Sequence, residues 1–342
     1  MYERASGIRF KKELFSVHPN RVCLIVLLFV TLSSARDKQK DAETLLKRAQ
    51  EATDIRSDTS KPFRLRAQFH FAGELSSERA EVEYKETWRS PEHWRHEISS
   101  LDYQQIEVGG KDRRWVLRDL ATEPARIRYI REWAEVPVFE IGKVSRVEEQ
   151  PGQGGPRDCI ISHLDIIPHL AGIKRTLCFD RTTGVLARRE ISTDSAEMSC
   201  DYYDYQKFGS KTYPRKLRCD DSLGFTIDGV VTDLSEDDAT VDTTQFVPPT
   251  GATEWPVCNS LRPPQWLHFW GPTPWNLRAP LARGVGVSFA VGVDGKPVNI
   301  GIVKSLGKHH DAGAMGIVRG WEFKPATCAG VSIPYTFEMV FW

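Results

Sequence analysis

Between Gly284 and Val303 the hydrophobic pattern admits one reading, a tight β-hairpin. Val285, Val287, Phe289, Val291 and Val293 fall at every second position, the period of a half-buried strand rather than of a helix. Asp294-Gly295 follows. A two-residue hairpin loop needs positive φ at its centre, which glycine and, less readily, aspartate tolerate. The chain returns through Val298, Ile300 and Ile302. A short helical segment comes next, with Asp311 as its expected N-cap. After it stand Trp321-Glu322-Phe323-Lys324-Pro325-Ala326 and a last alternating run from Val331 to Phe341. The expected order over residues 284–342 is strand, strand, helix, strand.

Upstream, the same period recurs in shorter pieces. Phe63, Leu65, Ala67, Phe69 and Phe71 alternate with Arg64, Arg66, Gln68 and His70. One apolar and one polar face suit an antiparallel sheet that is wet on one side. Further strands are expected over residues 80–88, 94–98, 104–108, 114–117, 159–161, 176–179, 185–191, 197–205, 213–219 and 225–234, with a turn at Asp180–Gly184 and a loop over 150–156. Ala42, Leu45, Leu46, Ala49 and Ala52 line one face of a helix over 41–54, and a second helix is expected over 125–138. Many short strands with few helices give an α+β chain built on one large curved antiparallel sheet or open barrel. Residues 250–283 form a connector dense in proline, whose Trp255, Trp266, Trp270 and Trp275 are expected to pack against the final unit. The expected segments are 1–35, 41–249, 250–283 and 284–342.

The first 35 residues stand apart. Arg9, Lys11, Lys12 and Arg21 precede an apolar run from Val22 to Leu32, and Ser33-Ser34-Ala35 follows. This is the layout of a secretory signal peptide cleaved near Ala35. The run is short of the ~20 apolar residues that a membrane-spanning helix needs, although an uncleaved inner-membrane anchor through residues 22–32 is the alternative. Beyond Cys23 there are six cysteines: Cys159, Cys178, Cys200, Cys219, Cys258 and Cys328. An even number in an exported chain points to disulfides. Cys159–Cys178, Cys200–Cys219 and Cys258–Cys328 are the economical pairing, because the first two pairs each bracket a strand-turn-strand. Each bridge stabilises by ~2–4 kcal/mol.

Lysine plus arginine equals aspartate plus glutamate at 46 each, so no overall field favours nucleic acid. No Gly-x-Ser-x-Gly elbow, phosphate-cradling loop or His-Glu-x-x-His helix is present in the sequence. His93 and His96 sit in one strand three positions apart and point to opposite faces, which denies them a shared metal ion. No enzyme, no cofactor and no metal are expected.

Residues 41–249 resemble LolA-type lipoprotein-carrier proteins of the bacterial periplasm. The resemblance rests on the early helix, Phe63–Phe71, Arg175–Leu186 with its Asp180-Arg181-Thr182-Thr183-Gly184 turn, Tyr213-Pro214-Arg215-Lys216-Leu217, and Thr244-Gln245-Phe246-Val247-Pro248-Pro249. It implies an open antiparallel half-barrel capped by helices, with an apolar concavity for acyl chains. Phe63, Leu65, Phe69, Phe71, Tyr84, Trp88, Trp94 and Trp115 are the candidates for that surface; ordinary core is the competing reading.

Residues 284–342 resemble the TonB C-terminal domain through Val293-Asp294-Gly295-Lys296-Pro297-Val298, Val303–Gly307, Asp311–Val318 and Trp321–Ala326, in that order. That resemblance implies a small β-β-α-β domain whose final strand lies at a sheet edge, where Pro334 costs no ladder bond. Such an edge pairs with an extended peptide of an outer-membrane or envelope partner, through Val331, Ile333, Tyr335, Phe337 and Met339. Without a permanent membrane helix and a long proline-rich arm, it does not imply coupling to a proton gradient. The expected function is a non-enzymatic envelope adaptor working by strand addition. The alternative is a periplasmic carrier of acyl lipid or lipoprotein.

Overall fold

The structure, a computed structural model, describes residues 38–341 apart from 58, 74–79, 102, 111, 121–122, 124–126, 128–129, 132–133, 135–142, 153–154, 165–172, 193–196, 223–224, 238–242, 258–260 and 269–283. The expected signal segment, Cys258, Trp270 and Trp275 therefore lie outside the described residues. Among these residues no helix is long and apolar enough to cross a membrane.

Thirteen strands join one open antiparallel sheet. The first half is a meander of Phe63–Gly73 (β1), Ala80–Ser90 (β2), His93–Ser100 (β3), Tyr103–Gly109 (β4) and Arg113–Arg118 (β5). The second is a meander of Lys143–Gly152 (β6), Gly155–Leu164 (β7), Ile173–Asp180 (β8), Leu186–Ser192 (β9), Glu197–Phe208 (β10), Lys211–Asp221 (β11) and Phe225–Glu236 (β12). The halves meet where β1 pairs with β12, with Phe63 opposite Glu236 and Phe71 opposite Ile227. The long-range pairing is specified by the pattern: a one-residue slip would turn Phe63, Leu65 and Phe69 to water. β6 is not among the expected strands, and the expected loop over 150–156 continues its ladder, with Pro151 opposite Pro156.

Helix α1 (residues 38–53) lies against the sheet. Its Ala42, Leu46 and Ala49 share one core with Ile127, Ile130 and Ala134, which are helical or flank helical residues, and with Leu65, Tyr84, Ile98 and Tyr103 of the first meander. Ile160, Leu177, Phe179 and Leu186, near the opposite end of the sheet, belong to the same core. Strands that distant reach a common core because the sheet curls around the helices. Each large apolar side chain buried there stabilises by roughly 1.5–3 kcal/mol.

Cys159 is disulfide-bonded to Cys178 and Cys200 to Cys219. Both pairs occupy directly opposed positions, on β7/β8 and on β10/β11, where the Cα atoms lie 4.0 Å apart. Cys328 is also disulfide-bonded, and its sulfur lies 3.8 Å from the carbonyl of Pro256, two residues before Cys258.

The proline- and tryptophan-rich connector is woven into the structure. Thr253–Pro256 (β13) pairs with β5 and forms one margin of the large sheet. Leu261–Arg262 (β14) and Gln265–His268 (β15) pair with strands of the final unit, Ala326–Cys328 (β19) and Glu322–Lys324 (β18). Trp266 lies 5.0 Å from the Trp321 ring and meets Phe323 edge-on. Trp266 packs on the core of the final unit and Trp255 on the cluster around Cys328, as expected of indoles from their cost in water.

The final unit holds Val285–Val291 (β16), Pro297–Lys304 (β17), Lys308–Arg319 (α2), β18, β19, Val331–Ile333 (β20) and Tyr335–Phe341 (β21). Gly295 has φ +81° and its Cα faces the Phe323 carbonyl so closely that a Cβ could not be accommodated. Helix α2 begins three residues before the expected cap. Asp311 stands in its first turn, accepting the Leu306 N–H at 3.1 Å and the Ser305 hydroxyl at 2.6 Å. The expected terminal strand over 331–341 is two strands in two sheets: β20 pairs with β19, and β21 pairs with β16. Pro334 separates them, since it has no N–H to carry one ladder into the next.

Candidate functional site

The inner face of the large sheet, under α1 and the helical residues near 130, carries a continuous buried cluster among the described residues. Parity decides which side chains reach it. Phe63, Leu65, Phe69, Tyr84 and Trp88 all point there and are buried, and Phe71 and Trp94 are half-buried against the same core. The Trp94 ring lies over Gly109, directly opposite on β4, where any Cβ would overlap the indole. Trp115, expected on this surface, stands opposite Val108, whereas Arg114 and Val116 stand opposite Gly109 and Glu107 of the inner parity, so it belongs to the outer face. The seven inner aromatic and aliphatic residues are filled core in this conformation rather than an empty trough.

A line of charge crosses this apolar surface. Glu86, His96 and Glu107 stand directly opposite one another on β2, β3 and β4, and all three are buried. Arg56, just after α1, donates from Nε to Glu86 at 2.7 Å and from its terminal nitrogen at 2.5 Å. Tyr84 donates its hydroxyl to the same carboxylate at 3.2 Å, and His96 Nε2 lies 3.3 Å from it. Burial alone would raise the Glu86 pKa, but Arg56 and then His96 outweigh it and hold the carboxyl well below its usual range. Glu107 follows the same logic: burial pushes up, while Arg114 at 2.7 Å, Arg131 and His96 pull its carboxyl below the usual value. Further along, Arg131 grips Glu123 with two bonds of 3.0 Å, and Gln105 bridges towards Glu107 and Glu123.

These contacts fasten the helices to the sheet. Arg56 also reaches the Ala134 carbonyl at 3.5 Å, and Tyr213 on β11 donates its hydroxyl to the same carbonyl. Beside that point opens an apolar cleft of about 280 Å³, its solvent-open part included. Ala67, Phe69, Leu217, Gly229 and Val231 form its floor and Ala134 its rim. Gly229 is required there, because a Cβ would come within 2.7 Å of the Phe69 ring and 2.8 Å of Leu217. Of these residues only Phe69 was expected on the ligand face; Leu217, Gly229, Val231 and the polar line were not.

At the other end, β21 is the margin of a three-stranded sheet in which β16 is central. Its pairing with β16 is unbroken for seven residues, whereas the opposite margin, β17, has two register shifts and Asn299 at φ +52°. Tyr335, Phe337 and Met339 stand opposite Val291, Phe289 and Val287, which are buried, so their register belongs to the core face. Ile333 is buried against Ala326 and Cys328, and Tyr335 packs on that cluster beside Trp255. The side chains of Phe337 and Met339 lie outside the described residues; among the other three expected partner-binding residues Val331 is exposed, at 50%, and Ile333 and Tyr335 are not. Thr336 donates its hydroxyl to the Glu123 carbonyl at 3.0 Å, which joins β21 to the first unit. Among the described residues no three His, Cys, Asp or Glu side chains are grouped to hold a metal ion.

No protein-family model matches the chain, and no curated protein sequence matches it. Solved structures do. A putative outer membrane lipoprotein-sorting protein domain from Vibrio parahaemolyticus aligns at 11% identity and TM-score 0.41, covering 62% of this chain and 97% of that one. A LolA superfamily protein from Nitrosomonas europaea aligns at 14% identity and TM-score 0.39, covering 60% and 97%. The MucA/MucB complex structure from Pseudomonas aeruginosa aligns at 13% identity and TM-score 0.25, covering 88% and 94%.

Proposed function

We propose that the protein is a non-enzymatic carrier of the cell envelope that holds an acyl chain, from a lipid or a lipoprotein, on the inner face of its open sheet. The observation behind this is the way that face is covered. Helical segments roof it, and these are held to the strands by a few polar contacts around Arg56, Glu86, Tyr213 and Ala134. The roof can lift while the ladder of the sheet stays paired, and this would extend the cleft already floored by Phe69, Leu217 and Val231. Apolar chains bind such a face by the area they remove from water. The two cross-strand disulfides suit an oxidising compartment, in keeping with a periplasmic location. Mass spectrometry of organic extracts from the purified protein is the test. Acyl-bearing species should co-purify with the wild type and be depleted in Val231→Glu, a half-buried position on the cleft floor. Their absence from the wild type, with no uptake of an added acyl probe, would overturn the carrier reading.

The TonB-like adaptor reading keeps one specific support, the regular β21 margin. An unbulged seven-residue edge offers backbone groups to an extended peptide. On this reading the peptide is recognised through the backbone, because positions 335, 337 and 339 stand opposite buried residues of β16. Crosslinking from position 338 to an envelope partner is expected, and an excess of that partner's extended peptide should compete it away; crosslinking that the peptide leaves unchanged would exclude strand addition.

A further inference from the structure

One arginine on the inner face differs from its neighbours. Arg56, Arg114 and Arg131 each meet a carboxylate, those of Glu86, Glu107 and Glu123. Arg215, on β11 between the buried Tyr213 and Leu217, lines the cleft beside Val231. It is half-buried, and its Nε is enclosed with no hydrogen-bond partner among the described residues. The acid that could have served it is Asp204, its neighbour across on β10. Asp204 has φ +57° and lies 4.0 Å from the Lys216 ammonium instead. A guanidinium kept at an apolar cleft with its donors unmet lacks an anion.

We infer that Arg215 is the headgroup site of the cleft, and that the ligand is a single-chain amphiphile with an anionic end, a carboxylate or a phosphate monoester. The chain lies over Phe69, Leu217 and Val231 and the anion accepts from the Arg215 guanidinium. The cleft offers one apolar strip, Phe69, Leu217 and Val231, beside one guanidinium, which matches one chain with one anionic end. This specificity rests on the carrier reading above.

Displacement of the neutral probe N-phenyl-1-naphthylamine from the full chain by decanoate, decyl phosphate and decanol separates the two ideas. A charge-assisted hydrogen bond should favour an anionic amphiphile over decanol by about tenfold or more. Arg215→Gln should reduce that preference to within about twofold while leaving decanol competition unchanged, and Arg215→Lys should keep most of it. Preference for decanoate alone or for decyl phosphate alone identifies the carboxylate or the phosphate source, and either supports the site. Equal competition by all three in the wild type, or a preference untouched by Arg215→Gln, would overturn the headgroup inference and leave the carrier reading standing. Failure of the probe and all three ligands to bind would overturn both.

Discussion

Replacing Glu86 by glutamine tests how the helices are held to the sheet. The Glu86 side chain is fully buried and that of Arg56 is 17% exposed, so the substitution leaves an enclosed cation facing an amide that donates as readily as it accepts. Breaking a buried pair from one side costs about 3–5 kcal/mol. At 2–4 °C per kcal/mol for a domain of this size, the melting midpoint should fall by about 6 °C or more. The double variant Arg56→Met with Glu86→Leu removes both charges, and should recover over half of that loss. The pH dependence follows from the depressed carboxyl. Its stabilisation is complete above the ordinary value of 4.5 and is lost progressively as pH falls towards the folded-state pKa. The gap between wild type and Glu86→Gln should therefore narrow below pH 4.5. Circular dichroism melts from neutral to acid pH measure this. A single variant melting within about 2 °C of wild type, or a double variant no better than the single, would refute the pairing as the fastening.

Gly295→Ala should cost about 2 kcal/mol or more, since alanine is strained at φ +81° and its Cβ meets the Phe323 carbonyl; loss of protection in the 285–304 hairpin by hydrogen exchange is the readout. Gly109→Ala should displace the Trp94 indole from its place on β4, with a shifted tryptophan emission and a cost of roughly 1–3 kcal/mol in unfolding. Converting Cys200 and Cys219 together to serine removes a bond that spans 19 residues and should cost about 3 kcal/mol in urea unfolding; a midpoint equal to wild type would show that the bond adds nothing.

The strands of the large sheet were legible because their apolar positions keep period two, from Phe63 to Phe71 and from Val82 to Trp88. The disulfides on β7/β8 and β10/β11 were legible for a related reason, since each cysteine pair brackets one turn. The polar line was harder. Glu86 shares the parity of Val82, Tyr84 and Trp88, and His96 that of Trp94 and Ile98, so parity places both inside. Composition argues the other way, because a charged residue is expected outside unless paired, and its partner Arg56 is 30 positions away. The cleft was invisible for a similar reason: Gly229 and Leu217 acquire meaning only through register with Phe69. The terminal run misled because its alternation carries through Pro334, although the backbone pairing does not.

The junction of β1 with β12 has a consequence for the nascent chain. Strand β1 obtains one neighbour from the very next hairpin, but the other arrives only with residues 225–236. At 5–20 residues per second, roughly seven to thirty seconds of synthesis separate the two. For all that time the hydrophobic strand beginning at Phe63 shows an unpaired edge, so a chain stalled before β12 is a half-sheet poised to pair with another copy of itself.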